Sequence, residues 1–99
     1  MTLAVGLVGA GAIAREHLAA YARLPGVRVS HVADVDPGRA RELASLAGGV
    51  AWTADPEAVF AAPDVDAVDI CTSSETHAAL AIAAATHGKQ VHVEKPAAL

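Results

Sequence analysis

Residues 3–8 form a short apolar run that ends at a glycine-rich segment, and this junction restricts the possible fold more than any other part of the sequence. The run carries no charged residue, a pattern typical of a strand buried on both faces of a parallel sheet. Apolar side chains then recur at helical spacing. A buried strand that turns sharply into a helix is the first unit of an α/β fold. The joining segment is Gly9-Ala10-Gly11-Ala12-Ile13-Ala14.

The rest of the chain repeats this alternation. Helices are predicted where apolar residues recur at helical intervals between a capping residue and a Gly or Pro, and strands where short apolar runs lie between the helices. Strands are predicted at residues 3–8, 27–33, 50–52, 67–72 and 90–94, and helices at 12–24, 37–47, 56–60 and 75–87. This order predicts an α/β fold with a Rossmann-type doubly wound parallel sheet, incomplete, with about five strands.

The domain content follows from length. A chain of 99 residues allows one domain. A six-stranded dinucleotide fold would still need a helix and a strand after the last predicted strand. We therefore expect residues 1–99 to be the N-terminal dinucleotide-binding fragment of a longer protein.

The glycine segment has the form G-x-G-x-x-A at a strand-to-helix turn. Gly9 permits the tight turn, Gly11 lets the backbone approach a pyrophosphate, and Ala14 lets the helix pack closely on the strand. The N–H groups at the start of the helix, at Ala12 and Ile13, then face the phosphates. A tight turn without a ligand is the alternative, since such glycines also occur by chance.

Asp34 ends the second predicted strand and follows Ala14 by about 20 residues, the interval expected of an acid that binds the adenosine ribose. Its carboxylate would accept hydrogen bonds from the ribose hydroxyls and repel a 2′-phosphate, which favours NAD over NADP. Arg39 and Arg41 lie nearby and would suit a 2′-phosphate. The alternative makes Asp34 a loop acid that only precedes the helix cap at Asp36.

Composition excludes several functions. The formal net charge is −4 and no basic run is present, so nucleic acid is not an expected partner. No apolar stretch approaches the ~20 residues that span a bilayer, and the N-terminus lacks the charged start of a secretory signal. The sole cysteine, Cys71, cannot form an internal disulfide. We therefore expect a cytoplasmic protein with no membrane partner.

Three further segments, taken with the glycine loop, carry a resemblance to a known family. They are Val32-Ala33-Asp34, residues 72–77 (Thr-Ser-Ser-Glu-Thr-His) and, most specific of all, His87-Gly88-Lys89 with Val91, Val93 and Glu94-Lys95-Pro96. Together they resemble the Gfo/Idh/MocA family of NAD(P)-dependent oxidoreductases, and the match extends over the whole chain.

The resemblance implies an NAD-dependent dehydrogenase that acts on the CH–OH groups of sugars, inositols or related polyols. It implies a second domain, absent from this chain, that supplies most of the substrate pocket, the usual catalytic acid-base residue and commonly the interface of a homo-oligomer. The fragment alone is expected to be inactive.

The resemblance also implies site residues. Lys95 follows the fifth predicted strand at the ligand-binding edge of the sheet; as a catalytic residue it would stabilise alkoxide character during hydride transfer. Its alternative is a solvated lysine, and Glu94 would pair with Lys95 or contact the ribose. Thr72 and Ser73 would line the cofactor. His77 resembles the family's histidine near the nicotinamide, with a polar surface residue as the equal alternative.

Six further residues are left outside the site. His17 suits partial packing on the first helix, and Cys71 is expected to pack as a small apolar residue in a buried strand. No partner can be named for Asp69. His31, His87 and His92 show no metal-ligand spacing with a cysteine, so no metal site is expected.

Two other functions fit the same pattern. Some relatives of the family are NAD-using glycoside hydrolases, which oxidise a sugar transiently; sugar release without net NADH would identify one. A non-catalytic NAD-sensing regulator keeps the same fold and glycines. Cofactor binding without turnover would identify that protein.

Overall fold

The computed structural model describes residues 2–72 and 74–93, with the side chains of 74–77 and 93 left out of the description. Strands and helices alternate along the whole described chain, as predicted. The strands are β1 (Leu3–Val8), β2 (Val27–Ala33), β3 (Ala51–Thr53), β4 (Ala67–Ile70) and β5 (Gln90–Val93). The helices are α1 (Ala12–Tyr21), α2 (Pro37–Leu46), α3 (Pro56–Ala61) and α4 (Ser74–Thr86).

The five strands form one sheet in the order β3-β2-β1-β4-β5, and every pairing is parallel. The chain moves outward from β1 to β3, returns to the centre, and moves outward on the other side through β4 and β5. This reversal beside β1 is the crevice where open α/β sheets bind ligands, outside the carboxyl ends of the strands. The predicted Rossmann-type doubly wound sheet is confirmed.

Two helices begin at the aspartates that the sequence indicates. Asp36 accepts hydrogen bonds from the N–H groups of Gly38 and Arg39 at 2.9 and 3.3 Å, and a proline occupies the first turn of α2. Asp55 caps α3 in the same way, through the N–H of Glu57 at 3.0 Å. Such caps satisfy N–H groups that have no partner within the helix, at about 1 kcal/mol each.

The sheet carries a core on each face. The core under α1 and α2 contains Leu7, Ala14, Val32, Ala40 and Leu43 among its buried members. The core under α3 and α4 contains Val8, Val59, Phe60, Val68 and Ile70 among its buried members. Both faces of β1 are therefore covered, which explains its continuous apolar sequence.

Helix α3 lies directly against β1 at Gly6. A Cβ atom added at Gly6 would lie 2.4 Å from Cγ1 of Val59, a distance that real Cβ contacts do not show. The register between β1 and β2 also shifts between Val5 and Gly6. The glycine in the middle of β1 thus serves close packing of helix on strand.

Two predicted elements extended two or three residues too far along the chain. Helix α1 ends at Tyr21, not Leu24, because the N–H groups of Arg23 and Leu24 bond to carbonyls three residues back and the chain turns at Pro25-Gly26. Strand β4 ends at Ile70, not Thr72. The N–H of Cys71 makes a last bond to the carbonyl of Val8 at 2.7 Å, after which the chain leaves the sheet.

Among the described residues, no helix is long and apolar enough to cross a membrane.

Candidate nucleotide-binding site

The glycine loop joins β1 to α1 at the carboxyl edge of the sheet. Gly9 has φ +97°, a conformation that L side chains rarely adopt. A Cβ atom at Gly9 would also lie 2.9 Å from the carbonyl carbon of Cys71 and 3.0 Å from its oxygen. The loop therefore passes against the chain that leaves β4, and only glycine permits both the turn and the approach.

Gly11 differs from Gly9 although both belong to the same motif. It is the N-cap of α1 with an extended backbone, φ −85° and ψ −161°, which most residues adopt without strain. A Cβ atom there would meet nothing within 4 Å. Folding alone does not require glycine at this position. The open space lies at the positive end of α1, where a phosphate group would fit.

The third small residue of the motif, Ala14, is completely buried. It packs in the core between α1 and the sheet, as the spacing predicts. Ala12 and Ile13, which begin α1, are exposed, so the first turn of the helix faces outward. The loop thus presents backbone groups on its outer side and packs α1 closely on its inner side.

Asp34 follows β2 and contacts the glycine loop directly. One carboxylate oxygen, Oδ2, accepts a 2.7 Å hydrogen bond from the N–H of Ala10, and the other, Oδ1, accepts a 2.8 Å bond from the N–H of Asp36. The N–H of Asp34 donates to the carbonyl of Thr53 on β3 at 3.2 Å. These three bonds fix a half-buried carboxylate at the carboxyl ends of β1 and β2.

A cleft of about 520 Å³ lies over these groups. It brings together four residues that the sequence predicts in the site: Gly9, Gly11, Asp34 and Thr72. Val35, which is 83% exposed, and Arg39 line its outer wall. The remaining lining residues are Val8, Ala10, Pro56, Cys71, Ala79 and Leu80. The cleft is mostly apolar with a few convergent polar groups, as nucleotide sites are.

Comparison with known proteins assigns the chain to a family. The family model for Gfo/Idh/MocA, an oxidoreductase family with an NAD-binding Rossmann fold, matches residues 3–99. The chain belongs to the Gfo/Idh/MocA oxidoreductase family. Residues 3–99 thus match the NAD-binding Rossmann fold of this family, and the family resemblance seen in the sequence is confirmed.

Similar Gfo/Idh/MocA proteins include two inositol 2-dehydrogenases. That of Burkholderia cenocepacia (strain HI2424) is 42% identical over 101 residues, covering 100% of this chain and 30% of the relative. That of Rhizobium meliloti (strain 1021) is 42% identical over 96 residues, covering 97% and 28%. The chain therefore spans about a third of the length of these relatives.

Among solved structures, levoglucosan dehydrogenase in complex with NADH and levoglucosan is similar to this chain. The TM-score is 0.90 and the sequence identity 36%, over 97% of this chain and 28% of the other. A Gfo/Idh/MocA relative with this fold therefore binds the reduced cofactor.

Several residues that the family resemblance implies lie outside the described residues. These are Ser73, Glu94 and Lys95, together with the side chain of His77 in α4. Arg41, unlike Arg39, is not among the residues that line the cleft. Arg39 itself lies 3.8 Å from a carboxylate oxygen of Asp36.

The structure also shows a polar cluster that the sequence did not predict. Asp69, on β4, is 1% exposed, and its Oδ2 lies 2.6 Å from both His17 Nδ1 and the hydroxyl of Tyr21, which donates to it. The thiol of Cys71 lies 3.5 Å from Asp69 Oδ1 and 3.5 Å from His17 Nδ1. We name His17, Tyr21, Asp69 and Cys71 the α1–β4 cluster.

Two expectations about the α1–β4 cluster need correction. Asp69 does have partners, and Cys71 does not simply pack as an apolar residue in a strand, since it follows β4, is half-buried and contacts polar atoms. The signal was present as spacing, because His17 and Tyr21 share a helix face and Asp69 and Cys71 share a strand face. The structural role expected for His17 agrees with its contacts.

Burial of the Tyr21 hydroxyl, and then its hydrogen bond to Asp69, raise the pKa of Tyr21 above its ordinary value of 10.0. The phenol therefore stays protonated at neutral pH and donates to the carboxylate. This arrangement ties α1 to β4 immediately behind the glycine loop. The α1–β4 cluster therefore holds together two elements that lie beneath the cleft.

Proposed function

We propose that this chain is the cofactor-binding part of an NAD-dependent dehydrogenase that acts on a CH–OH group of a sugar, inositol or related polyol. The observation that carries the proposal is the contact of Asp34 with the N–H of Ala10 inside the cleft. A carboxylate beside a glycine-rich strand-to-helix loop is the arrangement that a ribose and its neighbouring pyrophosphate require, which supports the proposal. The substrate class is supported by relatives named inositol 2-dehydrogenase and levoglucosan dehydrogenase.

The described residues suit two parts of an ADP group, the pyrophosphate and the ribose. Gly11 leaves room for a pyrophosphate, and the backbone N–H groups at Ala12 and Ile13 would bind its oxygens. Asp34 would accept hydrogen bonds from the ribose hydroxyls, and Thr72 would line the cleft on the β4 side. When bound, NAD supplies the hydride chemistry, while this domain binds and orients it.

The charge around Asp34 supports NAD as the cofactor over NADP. A 2′-phosphate at the ribose would meet the carboxylate of Asp34, and the guanidinium of Arg39 already lies near Asp36. Like charges at close range are strongly unfavourable in a partly buried site. Asp34 is thus the specificity residue of the proposed site.

Four residues beyond the description complete the proposal from the family resemblance. Ser73 would line the cofactor, His77 would lie near the nicotinamide, and Glu94 would pair with Lys95 or contact the ribose. Lys95 would hydrogen-bond the reacting oxygen and stabilise the negative charge that develops there. It is the one catalytic residue proposed within this chain.

The organisation of the whole protein is proposed on the same basis. The relatives are more than three times as long as the matched segment, which supports a separate substrate domain outside residues 1–99. That domain would supply most of the substrate pocket and the interface of a homo-oligomer. The single cysteine of residues 1–99 suits a cytoplasmic location.

Titration with NADH, followed by cofactor fluorescence, tests the cofactor site. The informative variant is Gly11→Thr, because threonine is an acceptable N-cap and its side chain enters the open space at α1. We expect the fold to persist and NADH affinity to fall at least about tenfold through lost phosphate contacts. The matched control is Ala85→Thr, which introduces the same side chain at an exposed position near the far end of α4.

The outcomes separate binding from folding. Loss of NADH affinity in Gly11→Thr but not in Ala85→Thr supports the proposed site. Equal affinity in Gly11→Thr and the wild type would remove the glycine loop from cofactor binding. Oxidation of inositols or anhydro-sugars by the full-length enzyme tests the substrate class separately.

A further inference from the structure

We propose that His17, Asp69 and Cys71 of the α1–β4 cluster form a binding site for a divalent transition-metal ion, with Zn²⁺ as the ion that fits best. One ligand atom from each residue lies within 4.8 Å of the other two. The residues come from α1 and β4, which the fold already holds together. The site adjoins the nucleotide cleft, since Cys71 also lines that cleft, but it uses none of the side chains proposed to bind phosphate or ribose.

The distances between ligand atoms fit a four-coordinate ion. Zinc with nitrogen and oxygen ligands near 2.0–2.1 Å and sulfur near 2.3 Å sets tetrahedral edges of roughly 3.4–3.6 Å. Two edges already have this length, since Cys71 Sγ lies 3.5 Å from His17 Nδ1 and 3.5 Å from Asp69 Oδ1. An ion bonded to these three atoms requires only small side-chain movements.

The remaining pair of ligands, His17 and Asp69, is joined by a hydrogen bond that uses the other carboxylate oxygen, Oδ2. His17 Nδ1 and Asp69 Oδ2 are 2.6 Å apart, a charge-assisted hydrogen-bond distance. A metal ion on Nδ1 breaks this hydrogen bond, and the neutral imidazole then carries its one proton on Nε2. The Cys71 thiol releases its proton to solvent and becomes a thiolate. Zn²⁺ with one thiolate, one carboxylate and one neutral imidazole carries no net charge, which suits a site beside a buried carboxylate.

The surroundings supply what metal ligands usually require. If Asp69 bonds the ion through Oδ1, its Oδ2 keeps the hydrogen bond from Tyr21, and such outer hydrogen bonds orient metal-binding carboxylates. His92 is the parallel neighbour of Asp69 on β5, and its ring centroid lies 5.9 Å from that of His17. Either His92 or a water molecule would take the fourth position.

The donor set decides the class of ion. Thiolate and imidazole ligands select zinc and neighbouring transition metals, whereas Mg²⁺ and Ca²⁺ prefer sites made of oxygen atoms. A site with one carboxylate among three ligands therefore does not suit Mg²⁺ or Ca²⁺. Mg²⁺ therefore serves as a negative control.

Cobalt provides the direct test, because Co²⁺ occupies zinc sites and reports its ligands by absorption. The purified protein is titrated with Co²⁺ under reducing, oxygen-free conditions. We expect one Co²⁺ per chain, a sulfur-to-cobalt charge-transfer band in the near ultraviolet, visible bands of a four-coordinate ion, and loss of both on adding Zn²⁺. Mg²⁺ should displace nothing.

Variants assign the ligands. Cys71→Ser, nearly isosteric, should lose the charge-transfer band, and His17→Gln should weaken Co²⁺ binding at least about tenfold. The control is His87→Gln. His87 lies 3.0 Å from Glu57 in an ordinary surface pair, so its loss should leave the spectrum unchanged. Thermal unfolding of each variant shows that it is folded.

A second measurement uses the wild-type chain alone. Because Cys71 is the sole cysteine, its alkylation by iodoacetamide is read directly from the mass of the protein, and Zn²⁺ should slow it at least about tenfold while Mg²⁺ does not. A Co²⁺ spectrum without a charge-transfer band, a band that survives Cys71→Ser, or alkylation unaffected by Zn²⁺ would each overturn the site.

Discussion

Gly9 and Cys71 approach so closely that a single methyl group at Gly9 would lie 2.9 Å from the carbonyl carbon of Cys71. The contact joins the loop after β1 to the chain after β4, at the edge of the sheet where the cleft opens. Gly11, two residues later, has open space in the same direction as the proposed phosphate. The two glycines of one motif therefore have different roles. Gly9 is required by the fold, and Gly11 by the proposed binding of the phosphate.

This difference predicts opposite effects of substitution. Gly9→Ala should lower the free energy of unfolding by at least about 1–3 kcal/mol, because it adds both a strained φ and a backbone clash. Gly11→Thr should change it by less than about 0.5 kcal/mol. Urea denaturation of both variants measures the effects. Equal stability of Gly9→Ala and the wild type would contradict the described loop geometry.

Asp34→Ala should weaken NADH binding by roughly 1–3 kcal/mol, the range of a hydrogen bond to a charged group. It should also narrow the preference for NAD over NADP, since the repulsion of a 2′-phosphate is lost while Arg39 remains. Calorimetric titration with both cofactors measures the two effects. Asp64→Ala is the control, because Asp64 is an exposed acid before β4, at the opposite edge of the sheet. Unchanged NADH affinity in Asp34→Ala would exclude Asp34 from the site.

The raised pKa of Tyr21 predicts a loss of stability in alkali. Its phenol titrates near pH 10 when unfolded and above that value when folded, so the folded state binds the proton more tightly. The corresponding stability is fully present below pH 10 and is lost as pH rises beyond it. Tyr21→Phe should lack this part of the loss.

The measurement is direct because Tyr21 is the sole tyrosine. Tyrosinate absorbance should appear only together with unfolding, as followed by circular dichroism in the same sample. Ionisation near pH 10 in a fully folded chain would show that the hydroxyl is not held by Asp69.

Lys95→Ala in the full-length enzyme should lower kcat by about 10²-fold, the effect of removing one donor that stabilises developing charge. Affinity for NAD should change little, because the proposed bond strengthens only in the transition state. Lys95→Arg should rescue poorly, since a planar guanidinium does not replace a compact ammonium. The control is Arg28→Ala, which removes an exposed cation from β2. A near-normal kcat in Lys95→Ala would leave Lys95 as a surface residue that takes no part in catalysis.

Local sequence signals predicted the parts of the fold that depend on neighbouring residues. The caps at Asp36 and Asp55 lie one residue before a proline and act within three residues, so their pattern is complete in a short window. The alternation of strand and helix determined the sheet for a similar reason, because connections between parallel strands are right-handed. The predicted end of α1 was wrong because the apolar pattern of 3.6 residues continues to Leu24, although the helix itself ends three residues earlier, at Tyr21.

Contacts between distant residues were harder to predict. Asp69 and His17 are 52 residues apart, and their pairing depends on the angle at which α1 crosses β4. Nothing in either local sequence specifies that angle. The contact between Asp34 and Ala10 was easier to predict, because an acid at the end of one strand and a glycine loop after the adjacent parallel strand lie at the same edge of the sheet.

The close approach of α3 to β1 at Gly6 has an evolutionary consequence. No side chain separates Val59 from the strand backbone, so a methyl group gained at position 6 must be matched by methyl groups lost at position 59. Either change alone lowers stability, one by overpacking and the other by leaving a cavity, whereas the pair compensates. Substitutions at these two positions should therefore covary among related proteins. This covariation would link the interior of β1 to a helix that follows it by some fifty residues.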